Sequence, residues 1–172
     1  MWIGGQDIKN IIRKYKQELQ NGRTPIEALC AHLRSKDIIL EAMFDDKMNR
    51  LTHLFFQPAA GAALTHMYGI PLFMDCTYKT DLYNMPLMPV SSVTGTDDTF
   101  SSSFAFLRNE KICDYRWLLT QITRILSGKC PPAVVVIDHE NALVRALEYE
   151  WPITAILICR WCIGKNIAAH CK

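Results

Sequence analysis

Two aspartates stand where aspartate is poorly accommodated. Asp75 interrupts the apolar run Leu72-Phe73-Met74-Asp75-Cys76-Thr77-Tyr78, and Asp138 closes the run Ala133-Val134-Val135-Val136-Ile137. A carboxylate withdrawn from water needs a cation, a hydrogen-bond partner or a place at the mouth of the fold. If both runs are neighbouring strands of one sheet, the two acids face each other at its rim, and shared divalent metal best relieves their repulsion. Asp75 has no other excuse, because mid-strand aspartate is disfavoured. Asp138 has one: with His139-Glu140-Asn141 behind it, it is equally well placed to cap a helix. Lys79, in Tyr78-Lys79-Thr80 beside Asp75, is suited to a phosphate contact near such a site. Cys159-Arg160-Trp161-Cys162, followed by His170 and Cys171, superficially resembles a zinc ligand set. Its spacing matches no common two-pair framework, and cysteine is an ordinary core residue.

The elements that must position these groups can be traced by periodicity. Ile8, Ile11, Ile12, Tyr15 and Leu19 predict a helix over 7–20. Thr24-Pro25-Ile26-Glu27 is a capping box with proline at the first helical position, opening a helix that runs to about Lys36. Ile38–Phe44 and Leu51–Phe56 read as strands of a hairpin, the first being also compatible with a helical turn. A short helix over 58–68 then delivers the chain to three strands, Leu72–Tyr78, Met85–Val93 and Phe100–Leu107, whose short links predict an antiparallel meander. Tyr115, Leu118, Leu119, Ile122, Ile125 and Leu126 predict a helix over 114–126 leading to a parallel strand. That strand, Ala133–Ile137, reads as buried on both faces. A helix over 141–150, a buried strand over 153–159 and a helix over 163–171 complete the order. The fold class is α/β, a mixed sheet preceded by a helical and hairpin lead-in over 1–57, with the main domain over 58–172.

At 172 residues, 49% apolar and 21% charged, the chain suits one globular domain with a short lead-in. A net charge of +2 does not announce nucleic-acid binding, and Lys/Arg at 9, 13, 14, 16 and 23 read as a solvated helix face. Seven scattered cysteines and a start without a leader pattern predict free thiols in a reducing compartment. No apolar stretch approaches the roughly 20 residues that cross a bilayer, so a soluble intracellular protein is expected.

Several blocks carry a family likeness. Met74-Asp75-Cys76-Thr77-Tyr78-Lys79-Thr80 with Tyr83-Asn84-Met85-Pro86-Leu87, Val93-Thr94-Gly95-Thr96, Phe104-Ala105-Phe106-Leu107, Ile137-Asp138-His139-Glu140-Asn141-Ala142-Leu143 and Cys159-Arg160-Trp161 resemble the MULE transposase domain of fungal Mutator-like elements. Asn21–Ile26 resembles the lead-in before that domain. The resemblance implies an RNase H-like DDE core in which two aspartates and a glutamate hold two magnesium ions for phosphodiester displacement. Asp75 matches the first aspartate and Asp138 the second. It implies DNA at transposon ends as partner, a homo-oligomer, no membrane association and a nuclear location. Two departures stand out. The family's Cys-x-x-His pair is Cys159 and Cys162 here, and the third acid falls on a helix past Lys172. A truncated, inactive copy is therefore expected. The alternative is a transcription-regulatory protein of the same descent, similar to the plant FAR1-like factors, that binds DNA without cutting it.

Overall fold

Proline in the first turn, Glu27 just after it, and His32 and Arg34 in the last turn suit the two ends of a helix dipole, and α1 spans Pro25–Arg34. The computed structural model describes residues 25–36, 38–45, 50–68, 71–77, 85–126 and 130–159. The helices expected over 7–20 and 163–171, the cap Thr24, Lys79, Cys162, His170 and Cys171 lie outside them. The chain divides into two units, Met1–Ile38 and Ile39–Lys172. The first holds α1, in which Cys30 and Leu33 are buried.

The second unit is built on one sheet, of seven strands among the described residues. In chain order its elements are β1 (Ile38–Phe44), β2 (Leu51–Pro58), α2 (Ala59–Tyr68), β3 (Leu72–Met74), β4 (Leu87–Val93), β5 (Thr99–Phe106), α3 (Ile112–Ile125), β6 (Val134–Ile137), α4 (Asn141–Glu150) and β7 (Ala155–Ile158). Across the sheet they run β1-β2-β5-β4-β3-β6-β7. The antiparallel meander forms as expected, β3 on β4 and β4 on β5, and β2 adds antiparallel to β5. The connection through α3 then makes β6 a parallel neighbour of β3, and β7 follows parallel to β6. The architecture is thus α/β with a mixed sheet, its elements following the chain order that periodicity predicts. Strands β1 and β2, grouped by the sequence with a lead-in, belong to this same sheet.

One face of the sheet carries the core. Phe55, Leu72, Met74, Met88, Val90, Ala105, Val135 and Ile137 meet Tyr115, Leu118, Leu119 and Ile122 of α3 and Leu143, Ala146 and Leu147 of α4. The helices are also joined by polar links, Arg116 Nε to Glu150 Oε1 at 2.6 Å and Trp151 Nε1 to Thr123 Oγ1 at 3.0 Å. Helix α2 borders the same face, where Ala62 and His66 lie with Gln121, Arg124 and Ile125 around Phe55. Gly61 lets α2 approach β5: a Cβ there would stand 2.6 Å from the Ser102 carbonyl oxygen and 2.8 Å from that of Ser101.

Two sequence expectations need correction here. In β6 only Val135 and Ile137 are buried, while Val134 and Val136 are half-exposed. In β7 Ala155 and Leu157 are exposed, and Ile153 lies outside the strand at 76% exposure. The sequence predicts a strand covered on both faces over 133–137 and a buried strand over 153–159. These strands put one side into the core, and β7 is the last strand of the sheet, which leaves its outer residues with few neighbours.

Candidate active site

Two β-branched or apolar runs end at the same level. Leu72, Phe73 and Met74 pair in parallel register with Val135, Val136 and Ile137. Asp75 and Asp138 are the next residues on each strand, so the two acids leave adjacent strands side by side at the carboxyl edge of the sheet. β3 stops at Met74, so Asp75 is an exposed residue just past a strand and not the mid-strand aspartate expected. The chain is caught again two residues on, where Thr77 N–H donates to Leu87 O at 2.8 Å and Leu87 N–H to Thr77 O at 3.0 Å. Beyond Asp138, Glu140 caps α4, its carboxylate accepting from Ala142 N–H at 3.1 Å. The capping alternative for Asp138 is therefore not what the structure adopts. Its Oδ1 is buried with no hydrogen-bond partner.

Electrostatics ties further groups to this rim. Burial raises the Asp138 pKa above its ordinary 3.8, and the charges of Asp75, then Glu140 and Glu110, push it the same way. Glu110 comes from the loop between β5 and α3, a residue that strand and helix patterning passed over. Its Oε1 is also buried and unpartnered. Glu110 also bears on the thiol of Cys76, whose protonated form its negative charge favours. Burial pushes this thiol far above its ordinary range, helped by Glu110, Asp138 and Asp75. A thiol held protonated is no ligand for a soft metal, whereas carboxylate oxygens suit a hard cation such as magnesium. Among the described residues no three His, Cys, Asp or Glu side chains already stand as a metal-holding group. Asp75 and Asp138 fit such a cation as a pair, with the orphaned Asp138 oxygen offering the clearest lone pair.

Other candidates play different parts. Cys159 is half-buried just past β7, its N–H donating to Ile137 O at 2.7 Å. Cys30, Cys76, Cys113 and Cys130 are free thiols. A buried polar pair escaped the sequence reading: His53 Nε2 lies 2.8 Å from Asp114 Oδ1. Asp114 Oδ2 also accepts from Lys111 N–H at 3.2 Å at the start of α3. This pair ties β2 to the first turn of α3.

Among the described residues no helix is long and apolar enough to cross a membrane. No solved structure matches the chain significantly. Protein FAR1-RELATED SEQUENCE 5 of Arabidopsis thaliana is 24% identical over 165 residues, covering 93% of this chain and 20% of that protein. A PKS-NRPS hybrid synthetase of Chaetomium globosum is 31% identical over 111 residues, covering 63% of this chain but 2% of that protein. The chain thus spans at most a fifth of the curated relatives it matches. The profile described as MULE transposase domain matches residues 71–166, more than half of the chain and the stretch that contains both aspartates. The chain belongs to the MULE transposase domain family.

Proposed function

We propose that this chain carries the paired aspartates of a metal-dependent DNA strand cleavage and transfer site, the chemistry of DNA transposition. The observation that carries the reading is the parallel register of Met74 with Ile137, which sends Asp75 and Asp138 out together beside a buried, unpartnered carboxylate oxygen. Magnesium held by Asp75 and Asp138 would supply Lewis-acid stabilisation for in-line displacement at a phosphodiester. Asp138, half-buried, fixes one donor by the packing of β6. Asp75, exposed, meets the solvent side from which a nucleic acid arrives. The Cys76 thiol behind them stays protonated and leaves ligation to oxygen. DNA as partner, self-association and a nuclear location are parts of the same proposal.

Two measurements test it. Millimolar magnesium should shift the amide resonances of Asp75, Cys76 and Asp138 in the native chain and leave Asp75→Asn and Asp138→Asn unmoved. An unperturbed native spectrum removes the metal reading. Nicking of supercoiled plasmid that needs magnesium and both aspartates supports strand cleavage. The length of the match to the FAR1-related protein favours a second reading, a DNA-binding or transcription-regulatory domain without catalysis. DNA binding retained in both variants, with no nicking by any of them, would favour that reading.

A further inference from the structure

His53 is buried between two partners of opposite character. Its Nε2 lies 2.8 Å from Asp114 Oδ1 at the start of α3, and its Nδ1 lies 3.1 Å from Oγ1 of Thr52, the residue before it on β2. His53, Asp114 and Thr52 are withdrawn from water, with exposures of 3%, 4% and 7%. The chain of bonds runs on at both ends. Thr52 Oγ1 donates to the main-chain oxygen of Met43 on the neighbouring strand β1 at 2.9 Å, and Asp114 Oδ2 accepts from Lys111 N–H at 3.2 Å. Nearer the turn, Asp45 N–H donates to Arg50 O at 2.8 Å and joins the same two arms of the hairpin again.

The number of protons along this chain decides the form of the ring. A carboxylate brings none and a hydroxyl brings one. While Thr52 gives its hydrogen to Met43 O, its oxygen can only accept from the ring, and Asp114 likewise only accepts. Both ring nitrogens must then donate, which the imidazolium alone does. A neutral ring has a single N–H. Kept on Nε2, where the carboxylate makes the stronger, charge-assisted bond, it leaves Nδ1 an acceptor. The hydrogen that Nδ1 then accepts is that of Thr52, and giving it to the ring withdraws it from Met43.

We infer that His53 is a proton-operated latch on the β1–β2 hairpin: a proton taken up at Nδ1 turns the Thr52 hydroxyl from the ring to Met43 O and ties β1 to β2 by one more bond. The surroundings suit a ring that changes charge. Burial, the largest influence, opposes the cation, the hydrogen bond and charge of Asp114 favour it, and Arg108 opposes it. Trp117 of α3 sets its ring 4.8 Å from the imidazole, within the range at which an aromatic ring attracts a cation. Asp45, Lys111 and Cys113 are the other titratable groups lining the same cleft of about 670 Å³, which brings water to the ring. Because the ring titrates below its ordinary 6.5, the latch is open at neutral pH and closes in acid.

The test is a pH titration of the full chain by NMR, from about pH 7.5 downward until the chain unfolds. At the start, the nitrogen-15 resonances of His53 should show the proton on Nε2 and none on Nδ1. As the ring takes up its second proton, the carbonyl carbon resonance of Met43 should shift with the same midpoint. Thr52→Val keeps the shape of the side chain and lacks the hydroxyl, so its Met43 resonance should stay still while the ring titrates. Below the midpoint, exchange protection of the Asp45 amide should be about two- to tenfold higher in the native chain than in Thr52→Val, the scale of one neutral hydrogen bond. In His53→Gln the Met43 resonance should not move. A neutral ring with its proton on Nδ1 would overturn the inference. So would a Met43 carbonyl that ignores the ring's titration or still follows it in Thr52→Val, equal protection of Asp45 in the two chains, or a ring that stays neutral until the chain unfolds.

Discussion

At the scale of single residues, the protonation of Asp138 links the site to stability. Its folded pKa is raised, first by burial and then by Asp75, Glu140 and Glu110. Below its ordinary value of 3.8 both folded and unfolded chains hold the proton, and the group costs nothing. Between that value and the raised one the folded chain binds more protons, so this contribution to stability falls as pH rises. Above the raised value the cost is complete. Asp138→Asn should therefore raise the melting temperature at pH 7 without metal, and the gain should vanish below about pH 4. Calorimetry across that range checks it; a gain that persists at low pH would mean the effect is not ionic. Both aspartates were legible in the sequence because a carboxylate against an apolar run is conspicuous. Glu110, whose charge also raises the Asp138 pKa, was not, since a polar residue in a polar loop gives no local sign.

At the scale of elements, two contacts decide how the helices seat. Gly61 brings α2 against β5, and the atoms facing it are backbone carbonyls that cannot turn aside. Gly61→Ala should cost about 1–3 kcal/mol through overpacking, against a small helix-propensity gain, as read by urea denaturation. The second contact is His53 with Asp114, joining β2 to the first turn of α3. Burial depresses the His53 pKa below 6.5, outweighing the hydrogen bond and charge of Asp114, while Arg108 adds to the depression. Stability from this group is complete above the unfolded value near 6.5 and is lost as pH falls toward the folded one, where the unfolded chain takes up the proton first. The native chain should thus lose melting temperature between pH 7.5 and 5.5, and His53→Gln, which has no titrating group there, should lose less. Helix α3 was legible from its spacing. Its start at Ile112 was missed by two residues, because Lys111 and Asp114 close the first turn through backbone and carboxylate bonds without a favoured cap residue.

At the scale of the whole molecule, the sheet is two-sided in a way that apolar content conceals. The runs of β6 and β7 look alike in sequence, and only their place in the strand order separates a core strand from a sheet edge. Ile137 is 1% exposed and Leu157 52%. Ile137→Ala should cost about 2–5 kcal/mol, whereas Leu157→Lys should stay within about 0.5 kcal/mol. Equilibrium unfolding of the two variants measures the contrast directly, and a large penalty for Leu157→Lys would show that this edge is covered. The meander, the crossover through α3 and the parallel pair were legible because each strand carries its own period and each link its own length. The relation of β1 and β2 to the sheet was not, since pairing between distant strands leaves no mark within either one.

The parallel pairing of β3 with β6 also orders events in time. Strands β3, β4 and β5 can pair as they are made, being consecutive in the chain, whereas β3 and β6 wait for the whole of β4, β5 and α3 between them. On the ribosome, Asp75 emerges long before Asp138 has been synthesised. The acids are therefore kept apart until the last long loop closes, and a chain caught halfway through folding would possess a stable meander with no capacity for the chemistry proposed here.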